Sequence, residues 1–264
     1  MDHLTAAGLG LVQGLTEFLP VSSSGHVAVA ALLWGETPLP LAGVVLLHVG
    51  TLLATLAVVG RDAARLGGSL PAAVGSPRRW LRSEDGRQVL GIGLATVVTG
   101  VVGLTLEPLA EQATGRPEWL AAGFVVTALV LVLASRRGGS LNVPGLPAAL
   151  LVGLAQGLAV LPGVSRSGST IAAALLLGLR PEAAFRFSFL VSIPAIVGAV
   201  VLEAARPGGF GRIEPALWTG GVVAFLSGLL ALLALRRLVR RGRLWVFAPY
   251  LVALAAFLWF RSAP

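Results

Sequence analysis

The chain has 264 residues, of which 56% are hydrophobic and 12% are charged, and its formal net charge is +8. A soluble domain carries about 25% charged residues, so this composition excludes an ordinary water-exposed domain. Because the chain has no cysteine, disulfides, thiolate chemistry and cysteine metal sites are excluded too. All twenty basic residues are arginines, most of them in short connections between apolar runs. That placement favours membrane orientation over a nucleic-acid surface.

The chain begins with two short apolar arms, residues 4–19 and 27–34, on either side of Pro20 and a run of three serines at 22–24. An apolar helix needs about 20 residues to cross the hydrocarbon core, and neither arm reaches that length comfortably. Irregular backbone at membrane depth must be buried in protein or line a wet cavity. The pattern therefore predicts a re-entrant helix–loop–helix hairpin.

Six longer apolar runs predict membrane-spanning helices, three on each side of a second pair of short arms. The arms, 146–161 and 168–179, enclose a polar break at 162–168. The connection 61–87 carries six arginines with two prolines and several glycines, and we expect a loop there. The predicted spans are 41–60, 88–106, 119–135, 184–203, 215–235 and 244–260. The expected fold is an all-α polytopic membrane protein, one domain over 1–264, with about six transmembrane helices and two re-entrant hairpins.

An internal repeat relates the two halves, about 4–135 and 146–261, at a constant offset of 143 residues. Each half contains one hairpin and three spans, so the second half must enter the membrane from the opposite face. This predicts an inverted-topology repeat with a site where the halves meet, as in secondary transporters. The matching pairs are Gln13-Gly14-Leu15 with Gln156-Gly157-Leu158, Val21-Ser22 with Val164-Ser165, and Ser24-Gly25 with Ser167-Gly168.

The arginines are distributed unequally between the two predicted membrane faces. Fifteen lie in or next to the connections 61–87, 136–144, 180–186 and 236–243, which share one face. Four lie on the other face, at Arg116, Arg206, Arg212 and Arg261. Because cytoplasmic loops are enriched in arginine, we expect the first face to be cytoplasmic, with both termini and the mouth of the first hairpin outside.

The first polar break carries a carboxylate, hydroxyls and an imidazole. Gln13 and Glu17 are four residues apart and share a helix face. Glu17 is a candidate general base or divalent-metal ligand; the alternative is a buried carboxylate bonded to neighbouring hydroxyls. Ser23 and His26 offer the hydroxyl and imidazole of an activated nucleophile, although the serines could merely cap a helix. His26 alone, like His48 in the first span, is more typical of a structural histidine.

The second polar break places Arg166 among hydroxyls, at the predicted start of a helix. Free N–H groups and the helix dipole favour an anion there, and a guanidinium binds phosphate in a bidentate manner. The alternative is a structural ion pair between Arg166 and Glu17 across the two hairpins. Taken together, the residue types indicate phosphoryl transfer or anion handling at a membrane-embedded site. The neighbouring hydroxyls are those of Ser165, Ser167, Ser169 and Thr170.

Two motifs resemble the signatures of the undecaprenyl-diphosphate phosphatase family, the bacitracin-resistance proteins. One runs from Gln13 to His26 and the other from Pro162 to Thr170, in the expected order, and the resemblance covers essentially the whole chain. It implies hydrolysis of undecaprenyl diphosphate to the monophosphate and phosphate, which recycles the lipid carrier for peptidoglycan synthesis and confers bacitracin resistance. It also implies a bacterial cell membrane location, an active site on the outer side, and Mg²⁺ or Ca²⁺ as cofactor.

Carried over by motif position, the resemblance implies roles for nine residues. Glu17 would bind metal or act as base, and Arg166 would clamp phosphate. The nucleophile stays open between Ser23, His26 and water. Gln13 stands where many members have Glu, which leaves Glu17 as the sole carboxylate in the two motifs. The implied catalytic set is Glu17, Ser23, His26 and Arg166, and the substrate-binding set is Gln13, Ser22, Ser165, Ser167 and Thr170.

The partners implied are the polyprenyl diphosphate lipid and the membrane, with a homodimer left open and no nucleic acid. The alternative function is a prenyl-phosphate or anion transporter or flippase, which the inverted repeat favours. A carrier needs binding groups but no poised base and hydroxyl, so Glu17, Ser23 and His26 favour an enzyme. A purely structural scaffold would need neither Glu17 nor Arg166 at the hairpin tips.

Overall fold

The computed structural model describes residues 1–34, 41–113, 116–205 and 214–262, which fold almost entirely into helices. The first half contains α1 (His3–Phe18), α2 (Ser23–Trp34), α3 (Leu41–Gly68), α4 (Leu70–Gly75), α5 (Pro77–Arg82), α6 (Glu84–Ala113) and α7 (Pro117–Ala134). The second half contains α8 (Leu146–Leu158), α9 (Arg166–Leu176), α10 (Pro181–Ala205), α11 (Pro215–Arg240), a 3₁₀ turn (Leu244–Phe247) and α12 (Ala248–Ser262).

Among the described residues, six helical segments are long and apolar enough to cross a membrane. Five of them start in α3, α6, α7, α10 and α11, and the sixth starts at the 3₁₀ turn that leads into α12. Each overlaps a predicted span. The prediction of an all-helical polytopic membrane protein is therefore confirmed.

The prediction of a loop over 61–87 is wrong. Helix α3 continues to Gly68, and two six-residue helices, α4 and α5, fill most of the connection. Pro71 and Pro77 stand in the first turn of α4 and α5, where the missing N–H of proline has no helical partner to lose. Arginine is also a good helix former, so an arginine-rich connection can be helical.

Two helix–break–helix pairs occupy the positions of the predicted hairpins. At a rise of 1.5 Å per residue, α1 is about 24 Å long and α2, α8 and α9 are about 16 to 20 Å long, all shorter than a hydrocarbon core. Both breaks contain left-handed backbone, with φ of 71° at Ser22 and 83° at Gly163. After these turns, α2 begins at Ser23 and α9 begins at Arg166. The turns therefore set the directions in which these two residues point.

One short helix of each half packs against a long helix of the other half. Helix α1 packs on α11, and α8 packs on α6. Small residues permit the close approach: Gly10 lies against the backbone of Gly220, and Gly153 lies against that of Ala95. The halves therefore exchange contacts reciprocally, and the two polar breaks meet between them.

Candidate active site

Glu17 joins the two polar breaks. It lies in the last turn of α1 with its side chain only 5% exposed, and its Oε1 accepts a hydrogen bond from Nη2 of Arg166. The ion pair considered as an alternative role for Arg166 is therefore present. A buried ion pair is retained only when other hydrogen bonds satisfy the remaining polar atoms, which makes the surroundings of the second carboxylate oxygen important.

The second oxygen of Glu17 accepts two further hydrogen bonds from its own half. Ser23 Oγ donates to Oε2 at 2.6 Å, and Gln13 Nε2 donates at 3.0 Å. The second contact follows from the four-residue spacing on α1. The first requires the turn at Ser22, which brings the start of α2 back towards the end of α1. A serine hydroxyl that donates to a carboxylate is a nucleophile beside a base.

His48 also belongs to this cluster, although its sequence context gave no reason to expect it there. Its Nε2 lies 3.6 Å from Oε2 of Glu17 and 3.4 Å from Nε2 of Gln13. Its Nδ1 lies 2.9 Å from the carbonyl oxygen of Val44; because a carbonyl only accepts, Nδ1 carries the hydrogen. The interpretation of His48 as a purely structural histidine was incomplete, since its other nitrogen faces the carboxylate.

His26 is oriented by other partners. Its Nδ1 lies 2.8 Å from the carbonyl oxygen of Ser22, and its Nε2 lies 2.6 Å from the hydroxyl of Tyr250. The ring stacks on Tyr250 and meets the edge of Phe124. The structure therefore does not form the predicted Ser23–His26 pair: Ser23 turns to Glu17, and His26 holds the strained turn at Ser22.

In the second break, Arg166 faces a cavity, and most of the neighbouring hydroxyl groups form hydrogen bonds within the protein. Ser165 caps α9 by accepting from the N–H of Gly168 at 3.2 Å, and its own N–H donates to Thr127 on α7 at 2.9 Å. Ser167 contacts the carbonyl oxygen of Leu19, and Thr170 bonds to the carbonyl oxygen of Arg166 and to Ser188. Thr170 and Ser167 are buried supports of the break.

A cavity of about 420 Å³ opens beside this cluster. Its lining includes a polar group, Glu17, Ser22, Ser23, Ser24, His48, Ser165 and Arg166, with the further polar residues Thr16, Thr99, Gln156 and Ser192. It also includes apolar side chains that we call the apolar wall, those of Val44, Val45, Val160, Val164, Ala195, Ile196 and Ala199. Four residues that were also predicted to touch substrate are not among the lining residues: Gln13, His26, Ser167 and Thr170.

Comparison with known proteins gives a consistent result. The family described as bacitracin resistance protein BacA matches residues 6–257. The chain belongs to this family. It is 42% identical to the undecaprenyl-diphosphatase of Desulfosudis oleivorans, with 95% of each chain covered. It is 40% identical to that of Treponema denticola, over 96% of this chain and 95% of the relative, and 39% identical to that of Acaryochloris marina, over 97% of each. The resemblance inferred from the two motifs is confirmed.

In this member of the BacA family the donors for a metal ion are few. Among the residues that the structure describes, no group of three His, Asp or Glu side chains is placed to share an ion. Glu17 and His48 are neighbours, with Ser23 and Gln13 beside them. Mg²⁺ is often held by only one or two carboxylates together with substrate phosphates and water, so this donor set fits an ion that arrives with a diphosphate.

Gln156 is a second residue that residue types alone did not mark as functional. Its side chain lines the cavity and is buried, and its Nε2 donates to Thr99 Oγ1 at 3.2 Å. Its Oε1 is buried and has no hydrogen-bond partner among the residues that the structure describes, and an unsatisfied buried acceptor is costly. The sequence contained a signal for this residue, since Gln156 follows Gln13 at the 143-residue offset of the predicted repeat.

Proposed function

We propose that this chain hydrolyses undecaprenyl diphosphate to undecaprenyl phosphate and inorganic phosphate. The observation that carries the proposal is the cavity, whose lining combines the charged pair of Glu17 and Arg166 with the apolar side chains of the apolar wall. A lipid diphosphate likewise combines a charged head with an apolar chain. The similarity to the undecaprenyl-diphosphatases of the three relatives supports this substrate. Its recycling serves peptidoglycan synthesis and underlies resistance to bacitracin.

Arg166 binds the terminal phosphate in this proposal. The guanidinium has five N–H donors, and those not bonded to Glu17 can donate to the phosphate oxygens. The first turn of α9 adds free N–H groups and a favourable helix dipole. The apolar wall takes the first prenyl units of the chain. Binding at this place brings the phosphorus next to Ser23 and Glu17.

Glu17 acts as the base. It removes the proton from the attacking hydroxyl, either that of Ser23 or of a water in its place, as the oxygen–phosphorus bond forms. The bond between phosphorus and the bridging oxygen breaks, and undecaprenyl phosphate leaves. With Ser23 as nucleophile, a water then releases phosphate from the serine. His48, next to Glu17, is placed to take up and return the proton.

A divalent cation, Mg²⁺ or Ca²⁺, is part of the proposal. Glu17 would hold it together with the diphosphate oxygens, and His48 and Ser23 are the neighbouring donors. Its chemistry would be to neutralise the charge that develops on the leaving phosphate. Because Gln13 supplies an amide instead of a second carboxylate, we expect the metal to be held weakly without substrate.

The helix–break–helix pairs are proposed to be re-entrant hairpins of an inverted repeat. Their short helices and the reciprocal packing of α1 on α11 and α8 on α6 support this arrangement. The arginine distribution supports a cytoplasmic position for the arginine-rich face, with the termini and the active site facing the outer side of a bacterial cell membrane. A homodimer stays a prediction.

Transport of a prenyl phosphate is the second candidate function, and the reciprocal packing of the halves is what favours it. A carrier gains nothing from a hydroxyl that donates to a buried carboxylate at 2.6 Å. The contact between Ser23 and Glu17 therefore places hydrolysis first.

The test is phosphate release from a long-chain prenyl diphosphate by the purified protein. We expect hydrolysis that a chelator abolishes and added Mg²⁺ or Ca²⁺ restores. Glu17→Ala and Arg166→Ala should each lower the rate at least 100-fold, because each removes a charged contact to the reacting groups. Glu107→Ala and Arg137→Ala, which change exposed residues outside the cavity, are the matched controls. Full activity in both site variants would refute the proposed site.

A further inference from the structure

A second polar cavity lies far from the site of hydrolysis, at the ends of two membrane-spanning helices. It measures about 410 Å³ and is lined by Arg180, Pro181, Glu182, Arg186, Arg236 and Arg240. We call these residues the basic pocket. Along α10, Glu182 is fourteen residues from Ile196 of the first cavity, a distance of about 20 Å. The two cavities share no lining residue.

Two of the four arginines in the basic pocket are fixed by carboxylates. Glu182 accepts from Arg236 Nη2 at 2.5 Å and from Arg186 Nε at 3.1 Å. Arg186 also donates to Asp62 on α3 at 3.1 Å. This network links α3, α10 and α11. It also occupies Glu182, the acidic side chain that lines the pocket.

The other two arginines have no such partner. In the part of the chain that the structure describes, neither Arg180 nor Arg240 has a carboxylate within ion-pair distance. Both are exposed, and they line the same pocket. The first N–H groups of α10, just after Pro181, have no helical acceptor and add positive potential. The four guanidinium groups are balanced by only two carboxylates, those of Glu182 and Asp62, so the cavity keeps an excess of positive charge, as an anion requires.

The surface next to the pocket indicates where that anion comes from. Leu226, Leu233 and Arg240 follow one another at seven-residue spacing, so they lie on one face of α11. All three are exposed in the structure, and the leucines lie in a helix long and apolar enough to cross a membrane, where exposed side chains would meet acyl chains. An apolar stripe that ends in an unpaired arginine matches a molecule with acyl chains and a phosphate.

We propose that the basic pocket binds the phosphate group of an anionic phospholipid. The phosphate lies between Arg180 and Arg240, and the acyl chains run along the stripe of Leu226 and Leu233. Basic pockets between membrane helices suit such headgroups. Inorganic phosphate would satisfy the same guanidinium groups but would leave the stripe unused. The site is separate from catalysis and does not depend on the reaction assigned to Glu17.

The test compares three probes on the purified full-length protein by native mass spectrometry and thermal unfolding. The probes are phosphatidylglycerol, phosphatidylcholine and inorganic phosphate. We expect phosphatidylglycerol to bind at least tenfold more tightly than phosphatidylcholine and to raise the melting temperature. The double variant Arg180→Gln with Arg240→Gln should lose this preference while its rate of hydrolysis stays unchanged.

A matched double variant, Arg78→Gln with Arg79→Gln, removes the same charge from exposed positions outside the pocket. It should keep the preference for phosphatidylglycerol. An equal loss in both double variants would show a diffuse charge effect and overturn the site. Protection by inorganic phosphate as strong as that by phosphatidylglycerol would overturn the lipid as its occupant.

Discussion

The position of Glu17 depends on the contact between α1 and α11, and Gly14→Ala tests that dependence. A Cβ at Gly14 would meet Ser227 Oγ, the carbonyl oxygen of Ala224 at 2.5 Å and the backbone N of Gly228 at 2.9 Å. Ordinary contact begins at 3.4 Å, and the backbone of α11 cannot turn aside. Helix α1 must therefore move away by about 1 Å, and a 1 Å misplacement of a catalytic group costs about 100-fold in rate.

The same shift predicts which contact fails. The hydrogen bond from Ser23 to Glu17 is 2.6 Å long, and an added 1 Å takes it beyond the range of about 2.5–3.0 Å for O–H···O bonds. We expect kcat for phosphate release to fall about 100-fold and stability to fall by about 1–3 kcal/mol from overpacking.

The assay is phosphate release with kcat and KM determined separately, together with a thermal melt. The control is Gly100→Ala on α6, where the added Cβ has open space around it, and it should keep full activity. Wild-type kcat in a folded Gly14→Ala variant would refute the view that α11 sets the position of Glu17.

Three further predictions follow from the cavity and its surroundings. His26→Gln should lower kcat only about tenfold, the effect of a lost hydrogen bond, whereas Ser23→Ala should lower it at least 100-fold; equal losses would make His26 a catalyst. Gln156→Leu should leave kcat and KM close to wild type, because Oε1 is a buried acceptor and an ionised diphosphate offers it no hydrogen-bond donor; a tenfold rise in KM would contradict this. A cysteine introduced as Arg79→Cys should react with an impermeant thiol reagent only after cells are opened, and labelling of intact cells would overturn the orientation.

Much of the fold could be predicted from the sequence because the lipid solvent simplifies the problem. A span must be about 20 apolar residues long, so the six spans and the two short-armed breaks could be recognised from run length alone. The connection 61–87 could not, since proline and arginine are compatible with both a loop and short helices. In that segment tertiary contacts decide: Trp80 is buried, and its indole N–H donates to Ser69 at 3.2 Å.

The site was predictable where one motif contains both partners. Gln13 and Glu17 belong to one motif and contact each other because of helical spacing. Arg166 and Glu17 belong to different motifs, and the sequence offered their ion pair only as an alternative role for Arg166. His48 could not be found this way, since it lies 35 residues from Gln13 and reaches it only through the packing of α3. The pairing of Ser23 with Glu17, and of His26 with Tyr250, depends on the direction of the turn at Ser22, which a serine run does not specify.

The reciprocal packing of the halves has a consequence for biosynthesis. Glu17 and Arg166 are separated by 149 positions in the chain, and α11, the partner of α1, is made later still. At a synthesis rate of about 5–20 residues per second, roughly 7–30 s pass between the synthesis of Glu17 and that of Arg166. An unpaired carboxylate at membrane depth is costly, so α1 cannot settle into its final place while the first half is alone. The cluster of Glu17 and Arg166 is therefore completed only late in synthesis, and a chain cut between α7 and α8 lacks Arg166 and cannot form it.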